Sequence, residues 1–315
     1  MKLKKQRDLV TCLGFIAVFS ILPVFLGQSH YALSVLMNCA GLAVIASGVW
    51  LTFAIGRVNI CQAGFALIGA YASAILLSRT GLSYWLVLPL SVLITALCGA
   101  LIGSFILKLK GVYFSMLTIS LTEAIRLAFL NGGRFTNGSA GITNLRQPLG
   151  IHSTFAIYYL GALLLALSLL VVWRMHYSRL GSIFEAIRLN EDLAESVGID
   201  VWRYRILAFT VACALGGLGG SYFAVLTQSV YTQSFTVQHS IDFMLFCFLG
   251  GLEFVSGAMF GAFALTILFE FLGDFQQYQS LAYGAIMILA MLTIPNGILS
   301  LQIRRLRFGN KEVGA

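Results

Sequence analysis

Tyr84-Trp-Leu-Val-Leu-Pro-Leu-Ser-Val-Leu-Ile-Thr-Ala-Leu-Cys-Gly-Ala-Leu-Ile-Gly-Ser-Phe-Ile-Leu107 contains no charged residue and ends against Lys108-Leu-Lys110. At about 1.5 Å per residue, a helix over this stretch is long enough for the roughly 30 Å hydrocarbon core of a bilayer. A helix also satisfies its backbone N–H and C=O groups within one segment, which lipid cannot do for it. The stretch therefore reads as a membrane-spanning helix, with the lysines marking where it leaves the apolar layer. Composition extends the reading to the whole chain. Of 315 residues, 59% are hydrophobic and 10% charged, against roughly 25% charged in an average soluble domain. A water-soluble fold is excluded, because a body of this size cannot hide so much apolar surface in its core. The fold class is all-α, a polytopic membrane protein with a single transmembrane domain over residues 1–315.

The same criterion places spans near residues 9–28, 32–55, 62–79, 84–107, 112–131, 155–174, 204–226, 239–252, 256–273 and 280–300, about ten in all. The eighth is short and runs into Gly250-Gly251, so a re-entrant or broken helix stands as the alternative there. The basic start, Met1 to Arg7, precedes an apolar run longer than a signal peptide's and reads as an uncleaved first span. Charge tests the count. With the N-terminus in the cytoplasm, Lys2, Lys4, Lys5, Arg7, Arg57, Lys108, Lys110, Arg174, Arg179, Arg188, Arg203, Arg205, Arg304, Arg305, Arg307 and Lys311 fall inside. Only Arg79, Arg134 and Arg146 fall outside, and Arg126 lies within a span. That bias predicts cytoplasmic N- and C-termini.

The net charge of +8 thus reports orientation and membrane lipid, not a nucleic-acid partner. Six cysteines stand singly without a C-x-x-C pair, and His30, His152, His176 and His239 are scattered, so no metal site is expected. No catalytic constellation, no cofactor motif and no phosphate-binding G-x-x-x-x-G-K-[ST] loop is present, so the chain is not expected to be an enzyme or to hydrolyse ATP.

Polar residues inside the apolar runs mark the candidate translocation pathway. Ser115, Thr118, Thr122 and Arg126 share one face of the fifth span, a stripe too costly to leave against lipid. Glu123 lies three residues before Arg126 and can pair with it. Asn59 and Gln62 offer donors and acceptors without charge, suited either to a zwitterionic or amide solute or to hydrogen bonds between helices. Gly64 belongs to the cluster from Gly56 that, like Gly250 to Gly261, interrupts its helix. Tight packing is the alternative use of such small residues.

Two loops exceed simple turns. Segment 132–154 lies outside and is rich in Gly, Asn, Ser and Thr, either a solvated loop or a docking surface. Segment 175–203 lies inside and is dense in charge. Within it Ile183, Ile187, Ala194 and Val197 recur near helical spacing up to Gly198, predicting a short amphipathic helix or helix pair. Lipid-surface helices are Lys/Arg-rich, whereas this polar face carries Glu185, Glu191, Asp192 and Glu195 against Arg188. A cytoplasmic protein partner fits it better.

The stretch Gly181-Ser-Ile-Phe-Glu-Ala-Ile-Arg-Leu-Asn-Glu-Asp-Leu-Ala-Glu-Ser-Val-Gly-Ile199 and its continuation to Phe209 resembles the cytoplasmic loop of the permease subunits of branched-chain amino acid ABC importers, the LivM-like branch. Five further stretches agree in the same order. Gly56 to Tyr71 is similar to that family's glycine-rich segment, with Gln62 where histidine is common. Lys110-Gly-Val-Tyr-Phe through Glu123-Ala-Ile-Arg126 and Asn137-Gly-Ser-Ala-Gly-Ile142 match its next two motifs. Leu249-Gly-Gly to Ala262 matches its late glycine signature, with Glu253 replacing a small residue, and Ile294-Pro-Asn-Gly-Ile298 its closing motif.

The resemblance implies a coupling element that docks on an ATPase, carried here by Glu185, Ala186, Arg188, Asn190, Glu191, Glu195 and Gly198. It implies a heterodimer with a second permease subunit, two cytoplasmic ATP-binding subunits and an extracytoplasmic solute-binding protein, in a bacterial cell inner membrane. The implied cargo is a branched-chain amino acid or a related small polar solute such as another amino acid, urea or a short amide. A self-sufficient secondary transporter or channel is the competing expectation, since Glu123, Asp242 and Glu270 could relay protons.

Overall fold

The structure, a computed structural model, describes residues 2–26, 30–145 and 154–272 together with positions 281, 284, 285, 288, 292 and 297. The expected span 280–300, the closing motif 294–298, His152, Arg146 and the C-terminus lie outside the described residues or only touch these isolated positions. Among the described residues eleven α-helices follow one another: α1 (Lys2–Leu26), α2 (His30–Ala54), α3 (Gln62–Thr80), α4 (Tyr84–Ile106), α5 (Val112–Leu130), α6 (Thr154–His176), α7 (Arg179–Leu189), α8 (Glu191–Ser196), α9 (Val201–Thr227), α10 (Val237–Gly250) and α11 (Gly257–Phe271). Among the described residues there is no strand, only an isolated bridge between Ile142 and Val230.

Among the described residues six helices, α2, α3, α4, α5, α6 and α9, are long and apolar enough to cross a membrane, which makes the chain a multi-pass membrane protein. The expected span 239–252 is the 14-residue α10, and 256–273 is the 15-residue α11. At about 1.5 Å per residue each is too short to cross the hydrocarbon core alone. They pack as a hairpin closed by glycine. A Cβ on Gly250 or Gly257 would strike backbone of the facing helix, and one on Gly261 would strike the Phe246 carbonyl.

At the centre stands α9, packed on α2, α3, α4 and α6. Its run Gly216-Gly217-Leu218-Gly219-Gly220 makes this possible, for each glycine meets a different neighbour: Gln62, Thr95, Ile45 and the Ala66 carbonyl respectively. Gly69 of α3 closes on Gly217 backbone from the other side. Packing of this kind replaces the hydrophobic drive that lipid removes. On the periphery Leu86, Leu90, Leu93, Leu97, Leu101 and Phe105 leave one side of α4 exposed, as a lipid-facing wall requires.

Short polar residues start α7, α8 and α9. Ser178 Oγ accepts from Leu180 N at the start of α7, Asn190 Oδ1 from Leu193 N at α8, and Asp200 Oδ1 from Arg203 N at α9. A second small core forms beneath α7 and α8, where Phe184, Ile187 and Ala194 bury against Leu51 and Ile55 of α2's end and Val201 and Ala208 of α9.

A helix break held by hydroxyls, and the segment packed beneath it

Helix α2 stops because Gly56 turns to φ +79°, with Gly56 N donating to Phe53 O and Arg57 N to Thr52 O, both at 2.9 Å. Only glycine adopts that left-handed backbone cheaply. Helix α3 starts at Gln62, so residues 57–61 carry non-helical backbone into the bundle. Unpaired, those groups would be expensive. The stripe on α5 pairs them. Ser115 Oγ donates to Val58 O (3.3 Å), Thr122 Oγ1 donates to Ile60 O (2.8 Å), and Thr118 Oγ1 accepts from Ile60 N (3.3 Å).

Asn59 and Gln62 complete the arrangement, and both are fully buried. Asn59 Oδ1 accepts from Cys61 N (3.0 Å) and Cys61 Sγ (2.9 Å), while its Nδ2 donates to Gln62 Oε1 (3.2 Å). Gln62 Nε2 then donates to Ala212 O of α9 (2.8 Å) and Ile45 O of α2 (3.3 Å). Gly64 lets α5 close in, since a Cβ there would sit 3.4 Å from Thr122 Cα. The structure thus brings together Asn59, Gln62, Gly64, Ser115, Thr118 and Thr122. Glu123 and Arg126 stand apart, paired with each other at 2.5 and 2.9 Å on a partly exposed part of α5.

Directly beneath the break lies segment 175–203. The expected amphipathic element is a pair, α7 and α8, broken at Asn190. Val197, expected to continue the apolar face, follows the last residue of α8 and is exposed, and Phe184 is buried with Ile187 and Ala194 instead. Gly198, at φ +86°, ends α8 by donating to Glu195 O (3.0 Å) while Ile199 N reaches Ala194 O (3.1 Å). Glu185 reaches Arg188 at 4.0 Å, Ala186 is half-buried, and Glu195 is exposed. Arg188 rests on the Gly56 turn: a Cβ on Gly56 would lie 3.3 Å from Arg188 Cα.

Glu191 is not a free surface charge. Its carboxylate pairs with Arg57 Nη2 (3.2 Å), with Arg205 and with Lys110 Nζ (3.5 Å). Both guanidiniums are nearly buried, Arg57 at 4% and Arg205 at 6% exposure. Burial pushes the Glu191 carboxyl up, but the Arg205 hydrogen bond and the charges of Arg205, Arg57 and Lys110 outweigh it and hold the group below its ordinary value. With the folded value depressed, the cluster's contribution is present above the unfolded carboxylate value and is lost as pH falls through the folded one. Arg57, Lys110 and Arg205 were legible only as orientation charges. Their position at the ends of apolar runs, facing the charge-dense loop, was the available signal.

Elsewhere, a cavity of about 570 Å³ opens between α2, α9, α10 and α11, with Leu42, Ile45, Phe243 and Phe246 in its lining. Asp242 and Glu270 also line it. Asp242 lies 3.6 Å from His239 Nδ1, and Glu270 accepts from Tyr31.

The chain is similar to known proteins over most of its length. The family model described as the permease component of branched-chain amino acid transport systems matches residues 31–292. The high-affinity branched-chain amino acid transport system permease protein LivM of Salmonella typhimurium is 30% identical, over 90% of this chain and 69% of its own. LivM of Escherichia coli K12 is 29% identical, over 94% and 72% respectively. The ribose import permease protein RbsC of Escherichia coli K12 is 22% identical over 92% and 93%. No solved structure gives a significant match. A match over this much of the sequence, in a chain with this helical layout, means that the protein belongs to the branched-chain amino acid transport permease family.

Proposed function

We propose that the chain is the membrane-spanning subunit of an ABC importer in a bacterial inner membrane, passing a branched-chain amino acid or a related small polar solute inward. In this reading ten helices cross or enter the bilayer and both termini are cytoplasmic. Two ATP-binding subunits supply the energy, a second permease completes the pathway, and an extracytoplasmic solute-binding protein delivers the cargo. The related proteins named for branched-chain amino acids and for ribose mark how wide the solute range of such permeases is.

One observation carries the reading. On the side of α7 and α8 turned away from the bundle, Leu189, Leu193 and Val197 are 75%, 63% and 69% exposed, next to exposed Asp192 and Glu195. An apolar strip bordered by carboxylates suits neither water nor anionic headgroups, and it suits a protein groove with a basic rim. Likewise the Glu123–Arg126 pair sits on a face of α5 that this chain leaves largely open, beside exposed Leu127. An ion pair there is costly against lipid, and a second permease would cover it. The break at 57–61 is the proposed pathway element, because the hydroxyls and amides that hold it can exchange partners with a passing polar solute.

Leu193→Asp, on an exposed position, is expected to leave membrane insertion intact and to reduce co-purification of the ATP-binding subunits by about tenfold or more, since it removes an anchor from the centre of the patch. Retention of the ATPases at wild-type level would remove the docking assignment. The carrier reading keeps one observation in its favour, Asp242 and Glu270 bordering a single cavity. Uptake into sealed vesicles holding this chain without ATPases would decide for it.

A further inference from the structure

Glu191 stands where four segments meet. It is the first residue of α8. Arg57 begins the non-helical backbone after α2, Lys110 sits in the link between α4 and α5, and Arg205 lies in the first turns of α9. Two nearly buried guanidiniums share this carboxylate, and Lys110 also reaches Asp192 at 3.8 Å. Beside the ion cluster, α7 backbone touches the Gly56 turn at Arg188. Ile187 and Ala194 pack on Leu51 and Ile55 just before that turn. From Arg57 the chain passes within two residues to Asn59, whose side chain holds Gln62 and through it α2 and α9.

A patch that receives force and a break that must respond therefore share one packed, ion-locked junction. We propose that Glu191 is the pin of this junction, locking α7 and α8 to the Gly56–Cys61 break so that the two move as one body. Glu191 is then a positioning residue that faces inward, distinct from the Leu189, Leu193 and Val197 strip that meets the partner. A partly buried carboxylate shared by two nearly buried cations is suited to this, because any sliding of α8 past the break would leave both guanidiniums unpaired in a nearly dry site. The inference rests on the importer reading, which fails separately if the chain transports without ATPases.

The test uses the assembled complex in proteoliposomes, measuring ATP hydrolysis and solute uptake side by side. Glu191→Gln keeps the shape and removes the charge. Expected are bound ATPases, continued hydrolysis, and solute moved per ATP lowered by about tenfold, the size of an ordinary coupling between sites. A wild-type ratio, or loss of the ATPases to the extent caused by Leu193→Asp, overturns the proposal. A second measurement decides even if that variant fails to accumulate. A Cβ on Gly56 would lie 3.6 Å from Arg188 Cβ, within the roughly 3.5–4.5 Å of a disulfide. In the double variant Gly56→Cys/Arg188→Cys, oxidation is expected to leave uptake at the level of the reduced form, because it joins parts that already move together. Oxidation that stops uptake, reversed by reductant, would mean the two slide past each other and there is no pin.

Discussion

Replacing Gly220 with leucine is expected to prevent accumulation of folded protein. A Cβ at this position would strike the Ala66 carbonyl of α3, and the obstacle is backbone, not the end of a flexible side chain. To admit even one carbon, α9 and α3 must separate. That separation would also open the Gly69–Gly217 contact next to it and the Gly217–Thr95 contact with α4. Overpacking a tight core costs about 1–3 kcal/mol at sites that can adjust; here three helices must move together, and the cost lies at or above the top of that range. Gly14 of α1 is the control, since nothing lies within 4 Å of a Cβ there. Gly14→Leu should leave the thermal midpoint in detergent unchanged, while Gly220→Leu should give little protein that survives size-exclusion chromatography. Equal behaviour of the two would refute the central placement of α9.

Asn59→Leu should be nearly as damaging, for a different reason. The substitution is close in size, so the loss is polar. Cys61 N–H loses the acceptor at 3.0 Å and Gln62 Oε1 loses the donor at 3.2 Å, both in a fully buried place. Each buried group left unsatisfied costs about 1–3 kcal/mol, which predicts a loss of about 2–6 kcal/mol together. Asn59→Ser, whose hydroxyl can still accept from Cys61 N, should recover part of the stability. Thermal unfolding in detergent would separate the three proteins. A leucine variant as stable as wild type would mean that the break is held by the α5 hydroxyls alone, and the buried amide network would have no structural part.

The helical spans were legible because their signal is length multiplied by apolarity. The structure starts α3, α4 and α5 at Gln62, Tyr84 and Val112, where the sequence reading starts them. The clusters at Gly56–Gly64 and Gly250–Gly261 read as interruptions, and the structure breaks its helices between Ala54 and Gln62 and between Gly250 and Gly257, whereas the glycines of α9 serve packing inside an unbroken helix. What could not be read was partnership. The α5 stripe announces that Ser115, Thr118 and Thr122 face inward. That their partners are Val58 and Ile60 depends on a crossing between helices that sequence spacing does not encode. Glu191 looked like one more exposed acid on a polar face. Its three cationic partners come from positions 57, 110 and 205, and only folding brings them together. Val197 failed for a local reason, since α8 ends at Ser196 and the apolar face ends with it.

The small core beneath the break also bears on how such a protein is made. Its residues come from two distant parts of the chain, Leu51 and Ile55 on one side and Phe184 through Ala208 on the other. A growing polypeptide cannot complete that platform until the ribosome has passed Ala208, however well its early helices are already inserted. Truncated or stalled products that end before Ala208 therefore lack part of the packing that holds α7 and α8 against the end of α2, and the inner face of the molecule is finished late in synthesis.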